Sequence, residues 1–155
     1  MLSLNENFTI AFSKASVEPV LLVQIYTATG NPNPHSFCTG NEGMEFSGIY
    51  NPFTGGTSGA RTVLPLVHAV TPISTMMDPY HRTIAKNSTT VTFANHPYIR
   101  KFIKDNRIKA RAITVKLGTR DLTNELHWAY VFAGCIENIV PRDDGIDIEC
   151  SDFYR

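Results

Sequence analysis

No apolar run in this chain approaches the ~18 residues of a membrane-spanning helix; runs such as Val20-Leu21-Leu22-Val23 fall far short. Cysteine is scarce. Cys38, Cys135 and Cys150 are an odd number at wide spacing with no CxxC pair, which excludes a disulfide framework and a zinc signature. Charge of either sign is not in excess: 14 Lys+Arg stand against 14 Asp+Glu, with a pI near 7.0. That balance argues against holding nucleic acid or an anionic membrane by bulk attraction. The N-terminal MLSLNENFTIAFSK has neither a basic start nor an apolar stretch of about 7–15 residues, so no signal peptide is expected and the thiols are expected to stay reduced. Neither internal repeats nor low-complexity tracts occur.

The motifs of common chemistries are missing too. There is no GxxxxGK[ST] and no GxGxxG. Gly56-Thr57-Ser58-Gly59-Ala60 only approximates a nucleophile elbow, in a glycine-rich loop where a strand-to-helix turn is needed. His35, His68, His81, His96 and His127 never fall at HxH or HxxxH spacing. Asp143, Asp144, Asp147, Glu149 and Asp152 form an acidic hairpin, but without the loop spacing that supplies calcium with about six oxygens. The expectation is therefore no catalytic residue, no metal, no cofactor and no enzyme.

At 155 residues the chain is one domain, long enough to bury roughly 70 % of its unfolded surface. Residues 1–16 are expected as an N-terminal arm. Val17 to Tyr26, His35 to Thr39, Arg61 to Val70, Thr89 to Phe93, Ile108 to Leu117, Trp128 to Val140 and Ile146 to Cys150 are β-branched, apolar or alternating, and each predicts a strand. Met44-Glu45-Phe46 predicts the second strand of a hairpin. Pro65, which has no N–H for a ladder, makes Arg61 to Val70 an edge strand or one broken by a bulge. Asp143-Asp144-Gly145 predicts a tight hairpin turn. Ser74 to Ser88 reads as a surface loop, and Asn51 to Ala60 as an uncharged glycine-rich one. Asn95 and Pro97 open one helix that stops near Asp105-Asn106. The fold class is mainly β, a β-sandwich or barrel of seven to eight short strands with one α-helix.

The distribution of charge is more informative than its sum. Arg100, Lys101, Lys104, Arg107, Lys109, Arg111, Lys116 and Arg120 face a single acid, Asp105, between residues 100 and 120. From Asp121 to Arg155 eight acids face two bases, and no Lys or Arg occurs between Ala15 and Ala60. Such blocks pair inside the fold, lie as solvated faces, or meet complementary blocks on a neighbouring subunit in a head-to-tail contact that closes into a ring.

The order of segments is familiar. Val20-Leu21-Leu22-Val23-Gln24-Ile25, then Phe37-Cys38-Thr39-Gly40 and Met44-Glu45-Phe46-Ser47-Gly48-Ile49-Tyr50, resembles the opening of the distal-tail and baseplate-hub family of tailed bacteriophages and gene-transfer agents. Ala112-Ile113-Thr114-Val115-Lys116-Leu117-Gly118, Phe132-Ala133-Gly134-Cys135-Ile136 and Gly145-Ile146-Asp147-Ile148-Glu149-Cys150 are similar to its later strands; the segment from Arg61 to Ser88 has no counterpart. The likeness runs from about Val17 to Ser151. It implies a structural virion protein, made in the host cytoplasm and placed in the tail as an adaptor ring between tail tube and hub. Hub proteins are usually longer, so an adaptor is expected over a complete hub. The resemblance further implies a ring of this chain, hexamer or trimer, with neighbouring tail-tube and hub or baseplate proteins as partners, and no membrane or specific nucleic acid. Interface candidates are Arg100, Lys101, Lys104, Arg107, Lys109, Arg111, Asp143, Asp144 and Asp147, with Phe53 and Tyr80 from the two loops. A head–tail connector or tail-tube protein is the alternative within that class. Outside it stands an OB-like module for single-stranded nucleic acid or a glycan, which needs exposed aromatics such as Tyr26, Phe37, Phe46 or Trp128, whereas Trp128, flanked by apolar residues, is itself expected in the core.

Overall fold

The apolar run after Val17 forms β1, Pro19–Ile25, whose alternate side chains serve two different cores. The structure, a computed structural model, describes residues 4–14, 17–27, 34–46, 49–50, 57–58, 61–77 and 84–152. After β1 come β2 (His35–Thr39), β3 (Met44–Phe46), β4 (Ile49–Tyr50), β5 (Thr57–Ser58), β6 (Arg61–Val70), β7 (Ser74–Met77) and β8 (Ile84–Ala94). Then follow β9 (Ala112–Thr119), β10 (Ala129–Pro141) and β11 (Gly145–Asp152). The sheet order is β3-β6-β2-β1-β9-β10-β11-β8-β7, and a further pairing of β6 with β8 closes seven of these strands into a barrel. The mainly β class with a barrel is thus correct. A separate ribbon pairs β4 with β5.

β6 makes closure possible. It runs parallel to β2 through Phe37↔Leu64 and Thr39↔Val67, then antiparallel to β8 through Val67↔Phe93 and Val70↔Val91. Between Leu64 and Val67 the register slips by one residue, so Pro65 sits where β6 bulges and no ladder donor is required of it. Of the two sequence expectations for this strand, the bulge holds and the edge does not.

Three local expectations change. β3 pairs with β6 instead of forming a hairpin with β2, because β1 and β6 already flank β2. The stretch read as a surface loop from Ser74 carries β7 and the beginning of β8, paired through Ser74↔Ser88 and Thr75↔Asn87. Its polar side chains hid the strands from a reading based on apolar alternation. β9 begins at Ala112 rather than Ile108, since Arg107 (φ 46°) and Ala110 (φ 65°) take left-handed conformations that end the preceding helix and turn the chain.

That helix, Pro97–Asn106, is the one the sequence predicts. His96, not Asn95, caps it, with Nδ1 accepting from Tyr98 N at 3.1 Å. Ile99 and Phe102 point inward, and Phe102 packs at a tilt against His35 (4.6 Å) and meets Phe37 edge-on (5.5 Å), so the helix stoppers the barrel end where β1 finishes. A shorter helix, Glu6–Phe12, lies within the segment read as an N-terminal arm, capped by Asn5. These are α1 (Glu6–Phe12) and α2 (Pro97–Asn106) in chain order. α1 covers a second, smaller core outside the barrel wall, where Phe8 and Ala11 join Val20, Leu22, Leu122 and Trp128. Trp128, expected in the core, is 4 % exposed, donates from Nε1 to Leu122 O at 2.8 Å and lies against Gly118, where any Cβ would collide with the indole.

Candidate interaction sites

α2 places its charges by helical geometry. With Ile99 and Phe102 turned inward, Arg100, Lys101 and Lys104 point to solvent, followed by Arg107 at the C-cap and Lys109 in the turn beyond it. None of these five has an ion pair among the described residues. Arg111 is half-buried at the foot of β9. Ala110 N donates to Ile136 O (2.8 Å) and Ile136 N to Arg111 O (2.9 Å), which fastens this basic turn to the middle of β10.

The acidic hairpin forms as its Asp-Gly pattern predicts. β10 and β11 pair down to Pro141↔Ile146, and Arg142 N donates to Gly145 O at 2.8 Å across the turn. Asp143 and Asp144 are exposed at the tip. Asn95 Nδ2 donates to Asp143 O at 3.3 Å, so the tip lies beside the entry to α2. The ten residues of α2 span about 15 Å, which puts the acids on one side of the stoppered end and Arg107 and Lys109 on the other.

Asp147 does not belong to that surface. It is 6 % exposed, accepts from Thr92 Oγ1 at 2.8 Å and pairs with Arg142 at 2.5 Å, so its charge is consumed within the fold. Phe53 and Tyr80 lie outside the described residues. For the OB-like reading, Phe37 and Trp128 are buried in the two cores and Tyr26 is half-buried.

A polar cluster that the charge pattern did not suggest lies on the outer wall of β1, β9 and β10. Lys116, from the basic block, pairs with Glu125, from the acidic one, both nearly fully buried. The Lys116 ammonium also lies 4.6 Å from the centre of the Tyr130 ring. Beside them Tyr26 has its phenol pushed up to about 12, chiefly by burial and then by Tyr130 and Glu125. Thr114 Oγ1 donates to Gln24 Oε1 (3.4 Å) and Gln24 Nε2 to Ser36 Oγ (3.2 Å), carrying the polar row across to β2. The one sequence clue was Lys116 between Val115 and Leu117 in a strand with both faces covered.

Two clefts flank α1. One is lined by Glu18, Thr119, Arg120 and Asp121, the other by Asn7, Lys14, Asp121 and His127. Their charges are spent on each other, Lys14 on Asp121 at 3.0 Å and Arg120 on Glu18 at 3.9 Å. A third cavity, of about 220 Å³, opens at the barrel end opposite α2 and is lined by Leu21, Val70, Thr71, Ile73, Val115 and Phe132 among others. Among the described residues no three His, Cys, Asp or Glu side chains cluster as metal ligands, and no helix is long and apolar enough to cross a membrane.

Comparison with protein-family models gives no match, and comparison with curated protein sequences gives none either.

Proposed function

We propose that this chain is a structural component of a bacteriophage tail, assembling as an adaptor ring at the distal tip between tail tube and hub. The observation that carries the reading is the stoppered barrel end, where Arg107 and Lys109, without ion pairs among the described residues, stand across α2 from an exposed acidic turn. One side of that end complements the other. A neighbour placed side by side in the same orientation therefore brings Asp143 and Asp144 against Arg107 and Lys109, a heterologous contact of the kind that closes into rings. Complementary charges of this sort set rotational register and suppress wrong neighbours more than they add affinity. The closed barrel provides a rigid wall, and the segment order from Val17 to Ser151 supplies the family resemblance. A hexamer or trimer is the ring size that resemblance implies.

Two experiments test it. Gold-labelled antibody against the chain, applied to phage particles from the host, is expected at the tail end farthest from the capsid. Label at the neck moves the protein to the head–tail connector, and particles without label overturn the virion reading. Reversing Arg107→Glu and Lys109→Glu together is expected to abolish ring assembly at low salt, with wild-type assembly itself weakening as salt rises from about 0.1 to 1 M. Rings that survive the double reversal at both salts remove the charge-pairing part.

A further inference from the structure

Three of the cations on α2 take no part in the side-by-side contact. With Ile99 and Phe102 buried, helical spacing puts Arg100, Lys101 and Lys104 together on the opposite, outward side, and all three are exposed. None of them makes an ion pair or a side-chain hydrogen bond among the described residues. Their arrangement opposes the stability of the helix that carries them. Lys104 stands three residues after Lys101 and four after Arg100, the spacings at which like charges repel. The first turn of α2 holds no acid, so Arg100 and Lys101 meet the positive end of the helix dipole without compensation. Asp105 is the one acid in the helix, and it too has no ion pair among the described residues. Proteins break such local rules at functional sites, where a ligand supplies what the fold withholds.

An anion relieves this ridge, and the surroundings say which kind. A membrane surface holds a helix through its apolar face, and that face of α2 is spent on His35, Phe37 and the barrel interior. A protein interface has an apolar centre and is depleted in lysine, whereas the one large hydrophobic side chain that α2 exposes is Tyr98, at 43 %. A single strand of nucleic acid suits both parts, with cations in a row for its phosphates and an exposed aromatic ring beside them for a base. The rise from Arg100 to Lys104 is about 6 Å, close to two steps of about 3.4 Å between the phosphates of a stacked strand. The formal net charge of +0 does not oppose such binding, because at about 0.1 M salt a charge is felt over about 10 Å only. Asn95 holds the acidic hairpin tip beside the entry to α2. The strand therefore runs from Tyr98 toward the C-terminal end of the helix, away from Asp143 and Asp144.

We infer that the outer ridge of α2 binds single-stranded nucleic acid without regard to sequence, with Arg100, Lys101 and Lys104 on successive phosphates and Tyr98 stacked on a base. The site stands independently of the tail reading, since it uses none of Arg107, Lys109, Asp143 and Asp144, the groups of the ring contact.

Fluorescence anisotropy of a labelled oligothymidylate of about 20 nucleotides, titrated from about 50 to about 300 mM salt, tests it. The wild type is expected to bind with a slope of log K against log salt of about −2, from about −0.7 for each of three neutralised phosphates. Arg100→Gln/Lys101→Gln/Lys104→Gln is expected to lose more than tenfold in affinity at about 50 mM salt and to bring the slope near zero. Glutamine is a good helix former, and circular dichroism verifies the fold. Tyr98→Ala is expected to bind about tenfold more weakly at every salt concentration with the slope unchanged, and Tyr98→Phe to bind as wild type does. Asp143→Asn/Asp144→Asn, which removes the acidic half of the ring contact, still binds the oligonucleotide, so a failed ring and a failed strand site are told apart. A wild type that does not bind at about 50 mM salt, a triple variant that keeps the wild-type slope, or a Tyr98→Ala variant that binds as wild type does overturns the proposal. Polyglutamate of similar length bound as tightly as the oligonucleotide overturns it in favour of an acidic protein surface.

Discussion

At the scale of single residues, Ala110 carries the clearest strain. Its φ of 65° costs an L-residue about 1–2 kcal/mol, and the conformation persists because Ala110 N must reach Ile136 O to fasten the basic turn to β10. Ala110→Gly removes the steric cost while adding backbone entropy to the unfolded chain, so a net gain of about 0.5–1 kcal/mol is expected. It appears as a higher urea midpoint at unchanged slope; a midpoint that falls means that the turn is relaxed. Residue type foretold some placements and not others. Trp128, flanked by apolar neighbours, was legible as core. Asp147 and Lys116 were not, because a charge in an alternating strand reads as solvent-facing until the segment covering that face is known. Arg142 covers Asp147, and Glu125 meets Lys116 from a loop nine residues on.

Among the elements, the segment from Arg120 to Trp128 meets the outer wall through a buried ion pair beside the second core, into which Leu122 and Trp128 pack. Removing one member of such a pair strands the other, at a cost of about 3–5 kcal/mol, whereas replacing both by apolar groups of similar size is often neutral. Glu125→Gln and Lys116→Met are each expected to destabilise strongly, and the Lys116→Met/Glu125→Leu double variant to recover most of the loss. A double-mutant cycle by urea denaturation measures this, and single variants costing under about 1 kcal/mol show that the segment is anchored elsewhere. Legibility follows the same line between local and distant. The hairpin of β10 and β11 and the helix α2 were readable because an Asp-Gly turn and an N-terminal proline act within a few residues. β3, β7 and the first half of β8 were not, because their pairing is set by which strand edges remain free once the barrel has closed. The same limit hid the candidate surface in part: the sequence marked the cations of α2, but only the fold set the hairpin tip beside them.

For the molecule as a whole, the buried thiols of Cys38 and Cys150 and the half-buried phenol of Tyr26 tie stability to alkaline pH. Burial, aided by Cys135, Glu137 and Glu149, pushes the Cys150 thiol from 9.0 up to about 12, and burial with Tyr130 and Glu125 pushes Tyr26 from 10.0 to about 12. Both pKa values are raised in the folded state, so their contribution is fully present below the unfolded values. As pH rises, the unfolded chain releases these protons first and stability falls, beginning near pH 9 for Cys150 and near pH 10 for Tyr26. The urea midpoint is expected to be level up to about pH 8 and to drop steeply by about pH 11. Burial raises the Cys38 thiol above 9.0 as well, so the Cys38→Val/Cys150→Val double variant is expected to delay the onset by about one pH unit, leaving the Tyr26 portion. An onset that the variant leaves unchanged assigns the alkaline loss to other groups.

The seam at β6 also fixes when this chain is able to fold during its synthesis. β1 has β9 as a neighbour, with Pro19 opposite Thr119, and β8 waits for β11, whose last residue is Asp152. A ribosome therefore releases every strand from β1 to β11 before any ring of strands exists. Until then β1 and β8 each carry an open edge, the condition in which nascent β proteins pair wrongly with one another. Closure is an all-at-once event governed by contacts about a hundred residues apart, which places this small barrel among slow folders and makes β9, β10 and β11 the strands that decide whether it folds at all.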